Sequence, residues 1–149
     1  MKNSVKRVWK KMRKIDKIIC HCSASDQANH DNVEIIRSWH LARGWDDIGY
    51  HYFIQKDGNL QIGRPISKAG AHCYGQNKHS IGICLAGNGD FTEFQFKTLK
   101  ALCLNLCEIF ELHDADIYPH WYFNKNKKCP IYGLGEIRHY VESRRNQGN

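Results

Sequence analysis

The amino-acid sequence predicts an α/β fold: a single domain in which a central mixed β-sheet is flanked by helices. The chain has 149 residues, which is enough for one domain around one hydrophobic core. Hydrophobic residues make up 42% of the chain and charged residues 25%, as is typical of globular proteins. Segments with the pattern of strands alternate along the chain with segments that have the pattern of helices. This alternation favours a sheet that is covered by helices.

The first predicted elements are a buried strand and a helix. Lys17–Cys22 is a short apolar segment followed by a polar loop, which indicates a buried strand. Val33–Ala42 carries apolar side chains at helical spacing. Asp31 or Asn32 can cap the start of this helix, and Gly44 can end it.

A hairpin and an irregular segment come next. Gly49–Gln55 has the pattern of a strand, and Leu60–Ile62 has the pattern of its returning partner. Between them, Lys56–Asn59 contains the Asp-Gly pair that is typical of hairpin turns. Residues 63–79 show no regular pattern but contain several histidines, so we expect them to form a loop beside a cleft.

The longest helix follows a predicted central strand. Ser80–Ala86 is apolar enough for such a strand. Thr92–Leu112 is the helix, and Thr92 with Gln95 has the spacing of a capping box. The stripe that we expect to be buried consists of Phe96, Leu99, Leu102, Leu106, Ile109 and Phe110.

Three elements complete the predicted order. Asp116–Tyr118 indicates a short strand, Pro119–Pro130 a polar loop, and Leu134–Arg144 a final helix.

Seven cysteines are present, and their odd number argues against a framework of disulfide bonds. Several of them are expected to be small buried apolar residues, and at least one could bind a metal. They are Cys20, Cys22, Cys73, Cys84, Cys103, Cys107 and Cys129.

Two histidines and one cysteine form a candidate metal site. His21 lies near the end of a predicted strand, where Cys20 and Cys22 face the opposite side. His120 follows another predicted strand, and one loop could return Cys129 to it. Two imidazoles and a thiolate with an open fourth position suit a catalytic zinc ion. The residues alone leave two alternatives open: purely structural roles, and Cys129 as a thiol nucleophile with His120 as its base.

Four blocks of the sequence stand together in an order that indicates a known family. The blocks are Ile19–Ser25, Gly44–Tyr52, Gly70–His72 with Asn77–Gly87, and Lys127–Pro130. They resemble the signatures of the type 2 N-acetylmuramoyl-L-alanine amidases, which include amidase-type phage lysozymes and peptidoglycan recognition proteins. The resemblance spans roughly residues 15 to 142.

The resemblance implies an activity, a cofactor and a set of site residues. The activity is hydrolysis of the amide that joins N-acetylmuramic acid to L-alanine in peptidoglycan, in cell-wall lysis or turnover. The cofactor is one Zn²⁺ per chain, held by His21, His120 and Cys129. Tyr50 matches the family's catalytic tyrosine, and Lys127 matches the catalytic lysine of phage-type members.

Neighbouring residues compete for these two catalytic roles. Tyr52 is expected on the same strand face as Tyr50. Lys125 and Lys128 are close to Lys127 in sequence and could equally belong to a solvated basic loop.

Substrate contacts are assigned to the irregular segment and the strand after it. His72, Asn77 and Ser80 are the candidates for substrate binding, although Asn77 and Ser80 could instead order the loop. His51 is expected to point away from Tyr50 and to lie in the core or behind the site. The remaining histidines are interpreted as surface or packing residues: His30, His40, His79, His113 and His139.

One position departs from the family pattern. Many members carry an acidic residue two places after the second ligand histidine, and here that place is taken by Tyr122, two after His120. The departure concerns the course of this loop, and the two ends of the loop still match the family pattern.

The start of the chain is predicted to be a basic leader, residues 1–14, before a zinc amidase domain at residues 15–149. Val5–Met12 could form a short basic helix. No apolar stretch of the kind found in a secretion signal follows the basic residues, so we expect cytoplasmic synthesis without a signal peptide. The protein would then act on the cell wall after release, or on wall fragments. No apolar run approaches the roughly 20 residues that span a bilayer.

The formal net charge of +7 favours an acidic partner. Peptidoglycan or a muropeptide is the partner that the resemblance implies. A nucleic acid or protein bound through the basic leader is a weaker alternative, and solubility alone also explains the charge. A further alternative is a non-catalytic module of the same fold that binds peptidoglycan. Relatives of that kind typically lack the ligand cysteine, whereas this chain has Cys129.

Overall fold

The computed structural model of the chain describes residues 12–147, which fold into one mixed β-sheet with helices on both of its faces. The five strands of this part run in the spatial order β3-β2-β4-β1-β5. They are β1 (Lys17–Cys22), β2 (Tyr52–Ile54), β3 (Leu60–Ile62), β4 (Ser80–Leu85) and β5 (Ile117–Pro119). The α-helices are α1 (Val33–Ala42), α2 (Glu93–Ile109), α3 (His120–Phe123) and α4 (Gly135–Gln147).

The centre of the sheet is parallel, and one edge is antiparallel. β1 pairs in parallel with β4 and with β5, and β2 also pairs in parallel with β4. β3 returns antiparallel to β2 through a turn in which Gly58 has a positive φ of 88°. Every residue of β4 is buried, as expected for a parallel strand that is covered on both faces. The predicted mixed sheet flanked by helices is therefore confirmed.

The two faces of the sheet carry hydrophobic clusters of different size. The larger cluster lies between the sheet and the packed pair α2 and α4, and the smaller one lies beneath α1. Cys20, Ile54 and Ile83 belong to the larger cluster, whereas Phe53 and Cys84 belong to the smaller. His21 is in register with Cys84, so its side chain faces the side of α1, opposite to Cys20. The predicted orientation of His21 is thus confirmed.

The local signals for the helix ends are also confirmed. Asn32 caps α1 by accepting a hydrogen bond from the backbone N–H of Glu34 at 2.7 Å. Thr92 and Gln95 form the predicted capping box at the start of α2. Asn32 and not Asp31 takes the capping role, and the two elements start within one residue of their predicted positions.

One residue of the predicted buried stripe on α2 is placed wrongly. Leu99 and Leu106 are 0% and 3% exposed, but Ile109 is 53% exposed. The buried face is centred on Cys103, and six residues turn a helix through about 240°, which directs Ile109 away from the sheet.

The structure differs from the predicted elements at four further places. α2 ends at Ile109, three residues before its predicted end at Leu112. The regular ladder of β2 begins at Tyr52, three residues after the predicted strand start. The predicted loop 119–130 contains the short helix α3, and α4 runs three residues beyond the predicted end of the last helix. The predicted leader helix Val5–Met12 lies outside the described residues except for Met12. Between residues 12 and 147, every helix is too short or too polar to traverse a bilayer.

A buried glutamine connects α2 to the sheet. Gln95 is 0% exposed, and its Nε2 donates to the carbonyl oxygens of Ile54 at 3.2 Å and Ala86 at 2.8 Å. Its Oε1 accepts from the backbone N–H of Thr92 at 3.0 Å. One side chain therefore forms hydrogen bonds with backbone groups at the ends of two strands and at the start of a helix.

We expect Gln95→Met to lower the free energy of unfolding by about 1–3 kcal/mol, because it removes the donor to the buried carbonyl group of Ala86. The carbonyl group of Ile54 loses one of two donors and keeps the backbone N–H of Ala86. Urea denaturation followed by circular dichroism measures this change. Lys97→Met, on the exposed side of the same helix, is the matched control and should stay within about 0.5 kcal/mol. An equal loss in both variants would show that the Gln95 hydrogen bonds add no net stability.

Candidate active site and metal centre

The three predicted metal ligands meet at one edge of the sheet. The candidate ligand atoms of His21, His120 and Cys129 all lie within 4.8 Å of one another. The ring centroids of the two histidines are 4.4 Å apart. His21 is 1% exposed, whereas His120 and Cys129 are partly exposed. The cluster therefore has a buried side and a side that is open to solvent.

Strand register brings the two histidines together. β1 and β5 are parallel neighbours, and their last paired residues are Cys20 and Pro119. His21 and His120 are the next residues on each chain segment, so they lie side by side. His120 is also the first residue of α3, where the chain turns away from the sheet.

Hydrogen bonds from backbone N–H groups hold the loop that carries Cys129 close to His21 and His120. The N–H of Trp121 donates to the carbonyl oxygen of Cys129 at 2.9 Å. The N–H of Cys22 donates to Cys129 Sγ at 2.7 Å. These two contacts fix Cys129 against the ends of β1 and α3. Tyr122, at the position that is acidic in many family members, instead packs its ring 5.0 Å from that of Tyr118.

The chemistry of these donors fits zinc. Two imidazoles and one thiol are borderline ligands that zinc prefers, whereas magnesium and calcium select oxygen atoms. Ligand atoms of a tetrahedral zinc site are about 3.5 Å apart, so the cluster needs only a small contraction to fit the ion.

The protonation states of the histidines also fit a metal site. Burial, together with the neighbouring His72 and His120, lowers the pKa of His21 well below its usual value. Burial and then the positive charge of Lys127 lower the pKa of His120. Both rings are therefore neutral near pH 7, and a neutral imidazole is the form that binds a metal.

Cys129 shares a hydrogen bond with a second thiol. The contact with the Cys22 thiol, followed by burial, raises the pKa of Cys129. The Cys129 thiol is therefore protonated when no cation lies beside it. A divalent cation reverses this preference, because a coordinating thiol loses its proton.

Tyr50 lies beside the cluster, and its predicted competitor does not. The Tyr50 ring is 5.0 Å from the ring of His21 and 5.4 Å from that of His40. Tyr52 packs against the larger cluster on the opposite face of the sheet. The expectation that both tyrosines share a face is wrong, because Tyr50 precedes the regular ladder of β2 and strand alternation does not extend to it.

Burial raises the pKa of the Tyr50 hydroxyl well above its usual range, so this group keeps its proton and can donate it in a hydrogen bond. His40, interpreted from sequence as a surface or packing residue, packs behind Tyr50 and is 6% exposed. Its Nδ1 accepts from the backbone N–H of Gly49 at 2.8 Å, which fixes the segment that carries Tyr50.

Lys127 lies at the mouth of the cleft. A cleft of about 410 Å³ is lined by Tyr50, His120, Lys127, Lys128 and Cys129, among other residues. Of the lysines in this loop, only Lys127 acts on the pKa of His120. Lys125 lies outside this cleft, on a neighbouring surface with Trp121 and Tyr122. Position at the cleft separates Lys127 and Lys128 from Lys125, and the charge of Lys127 also lowers the pKa of His120.

The three predicted substrate-binding residues, His72, Asn77 and Ser80, lie outside the cleft. His72 and Ser80 are 8% and 0% exposed, neither lines the cleft, and hydrogen-bond contacts place both behind His21. Asn77 Oδ1 accepts from the backbone N–H groups of His72 at 2.9 Å and Cys73 at 3.0 Å. Of the two roles left open from sequence, these contacts favour ordering of the loop. The sequence pattern could not show this, because burial of 63–80 depends on distant residues.

An arginine from the predicted leader secures this loop. Arg13 donates to the carbonyl oxygens of Ile66 at 3.0 Å, Lys78 at 3.2 Å and Ser80 at 2.8 Å. Arg13 therefore belongs structurally to the folded domain, although the sequence places it before residue 15. Its position in a run of basic residues gave no signal of this role. His51, 1% exposed and expected in the core or behind the site, contacts the same guanidinium.

Comparison with known proteins agrees with this geometry. The family model described as N-acetylmuramoyl-L-alanine amidase matches residues 11–132. The chain therefore belongs to the N-acetylmuramoyl-L-alanine amidase family and is an enzyme of that class.

Phage endolysins are among its relatives. The endolysin of Enterobacteria phage K11 is 42% identical over 137 residues, which cover 83% of this chain and 85% of the endolysin. The endolysin of Escherichia phage T7 is 37% identical over 134 residues, which cover 85% of this chain and 87% of that endolysin.

Solved structures share the fold. The N-acetylmuramoyl-L-alanine amidase LysC from Clostridium intestinale URNW has a TM-score of 0.79 at 28% identity, covering 88% of this chain and 87% of LysC. A structure of the peptidoglycan recognition proteins LCa and LCx with tracheal cytotoxin has a TM-score of 0.69 at 24% identity. The match covers 79% of this chain and 76% of the matched protein. The second likeness concerns the fold alone.

We expect Arg13→Ala to lower the free energy of unfolding by about 2–4 kcal/mol, because it removes charge-assisted hydrogen bonds to several loop carbonyl groups. Hydrogen exchange should show the largest loss of protection in residues 63–80. Lys14→Ala removes the same charge from an exposed neighbour and should change stability by less than about 0.5 kcal/mol. Identical exchange in both variants would contradict the anchoring role of Arg13.

Proposed function

We propose that this protein is a zinc-dependent amidase that hydrolyses the amide between N-acetylmuramic acid and L-alanine in peptidoglycan. The observation that carries the proposal is the convergence of His21, His120 and Cys129 at a cleft that Tyr50 and Lys127 also line. Membership of the amidase family supports the identity of the bond that is hydrolysed.

The ligands would hold one zinc ion at the inner end of the cleft. A bound zinc ion supplies the positive charge that polarises an amide carbonyl group and activates water for attack. His21 anchors the site from its buried side, and partly exposed His120 and Cys129 leave one side open to the cleft. A substrate amide can reach the site only from that open side.

Tyr50 and Lys127 would act on the charge that develops during amide hydrolysis. The attack places negative charge on the former carbonyl oxygen, and preorganised donors stabilise it. The protonated hydroxyl of Tyr50 is such a donor in a buried setting. The ammonium group of Lys127 supplies a full positive charge from the mouth of the cleft. The leaving nitrogen also needs a proton, and both groups carry one that they can deliver.

The biological role that best fits is lysis of the bacterial cell wall. The relatives named above are phage endolysins that span a similar length. Peptidoglycan, an anionic polymer, also suits the net charge of +7. The protein would reach the wall after release by another component.

Two alternatives are less well supported. A module that only binds peptidoglycan has no need for Cys129, which is present here and contacts the end of β1. A thiol nucleophile needs one histidine as its base, whereas two histidines, His21 and His120, converge on Cys129. The second histidine favours metal ligation.

We expect the purified protein to bind about one zinc ion per chain and to release free stem peptide from peptidoglycan. Chelation should abolish release, and added zinc should restore it. Metal analysis and mass spectrometry of the products measure both effects. Absence of chelator-sensitive release would refute the proposal. Tight muropeptide binding without turnover by zinc-loaded protein would favour the binding module. Unchanged zinc content with lost activity in Cys129→Ala would favour the thiol nucleophile.

We expect Lys127→Met to lower kcat by about 10²–10³-fold, because it removes a cation that stabilises the oxyanion. Zinc content should not change, since Lys127 is not a ligand. Lys125→Met carries the same substitution outside the metal cleft and should keep the kcat of the wild type. If Lys125→Met is the variant that loses activity, the assignment of Lys127 is wrong.

A further inference from the structure

Three polar side chains form a continuous buried row that begins at the candidate metal ligand His21 and continues behind it. His21 Nε2 is 2.8 Å from His72 Nδ1, and His72 Nε2 is 3.2 Å from Ser80 Oγ. The three residues are 1%, 8% and 0% exposed. The row begins at a candidate metal ligand and runs away from the cleft, so a substrate does not reach its far end.

Only one direction of hydrogen bonding along this row leaves His21 able to bind a metal. The short contact between the two rings needs one proton, because one nitrogen must donate and the other accept. If His21 Nε2 donates, His21 Nδ1 keeps its lone pair, and the remaining proton of His72 lies on Nε2 and points to Ser80. If His72 Nδ1 donates instead, neutral His21 carries its proton on Nδ1 and has no free lone pair.

The His72 ring is confined in a narrow slot. A Cβ atom added to Gly82 would lie 2.5 Å from His72 Cδ2, and one added to Gly70 would lie 2.6 Å from the same atom. Gly82 lies in β4, so the sheet itself forms one wall of the slot. Asn77 fixes the backbone of His72 through its N–H. The acceptor that faces His21 is therefore held in place by groups from three chain segments.

We propose that His72 is a positioning residue for the metal centre, which accepts the Nε2–H of His21 and thereby presents His21 Nδ1 to the zinc ion. Ser80 completes the row by accepting the Nε2–H of His72. This inference rests on the proposed zinc-dependent function. Outer partners of this kind orient a ligand histidine and raise its basicity, and their loss typically weakens metal affinity by about 10–100-fold. His72 therefore acts through His21 and not on the substrate.

The test compares two substitutions of similar size at one position. Asn places its amide oxygen where the Nδ1 atom of histidine lies, whereas Leu removes the acceptor and keeps an apolar group of comparable volume. Zinc affinity is measured by competition with a chromophoric chelator. We expect His72→Leu to bind zinc about 10–100-fold more weakly than the wild type, and His72→Asn to recover most of this loss. Ser80→Ala should have a smaller effect than His72→Leu, because it leaves the contact between the rings intact.

A second measurement does not depend on how the variants fold. Nitrogen-15 NMR of the zinc-loaded wild-type protein reports the tautomer of His21. We expect the proton on Nε2 and the metal on Nδ1. Ligation of zinc through His21 Nε2 would overturn the inference, and so would equal zinc affinity in the wild type and His72→Leu. A wild-type protein that takes up no zinc would overturn the proposed function first, and the inference with it.

Discussion

The parallel pairing of β1 with β5 is the constraint on which the site depends. The pairs Ile18 with Ile117 and Cys20 with Pro119 set the register of the two strands. His21 and His120 continue that register by one position and so come to lie side by side, 99 positions apart in the chain. A slip of one residue would direct one imidazole to the opposite face of the sheet and separate the ligands. Backbone hydrogen bonds between β1 and β5 thus decide whether the two candidate ligand histidines meet.

The division of the core into two unequal parts follows from the same sheet. The larger cluster beneath α2 and α4 stabilises the fold, since it contains most of the buried apolar side chains. The smaller cluster beneath α1 leaves room for polar groups on its own face of the sheet, where His21, His51 and His72 are buried. Loops cover this face, and specific contacts hold them: the Arg13 guanidinium with several carbonyl groups, and the Asn77 side chain with two backbone N–H groups.

The charge of the surroundings differs between the two sides of the candidate metal ligands His21, His120 and Cys129. Behind His21, burial lowers the pKa values of His21 and His72 well below their usual range, so both rings are neutral. At the cleft, Lys127 adds a positive charge beside His120. Zinc with one thiolate ligand would carry a net charge of about +1, and negative charge on the substrate oxygen would be attracted both to this centre and to Lys127. In the proposed function, this arrangement would favour the charged intermediate over a neutral amide.

The sequence by itself determined the fold class, the order of the elements, the capping box of α2, and the residues that could serve as ligands. These features depend on short-range periodicity and on residue types, both of which can be read from neighbouring positions. Tertiary structure decided that Tyr50 and not Tyr52 lies beside His21, and that Ile109 is exposed. It also decided that Arg13 belongs to the domain and that His72 and Ser80 lie behind the ligands. Each of these facts depends on the register of strands and on contacts between residues that are distant in sequence, and no local pattern records such contacts.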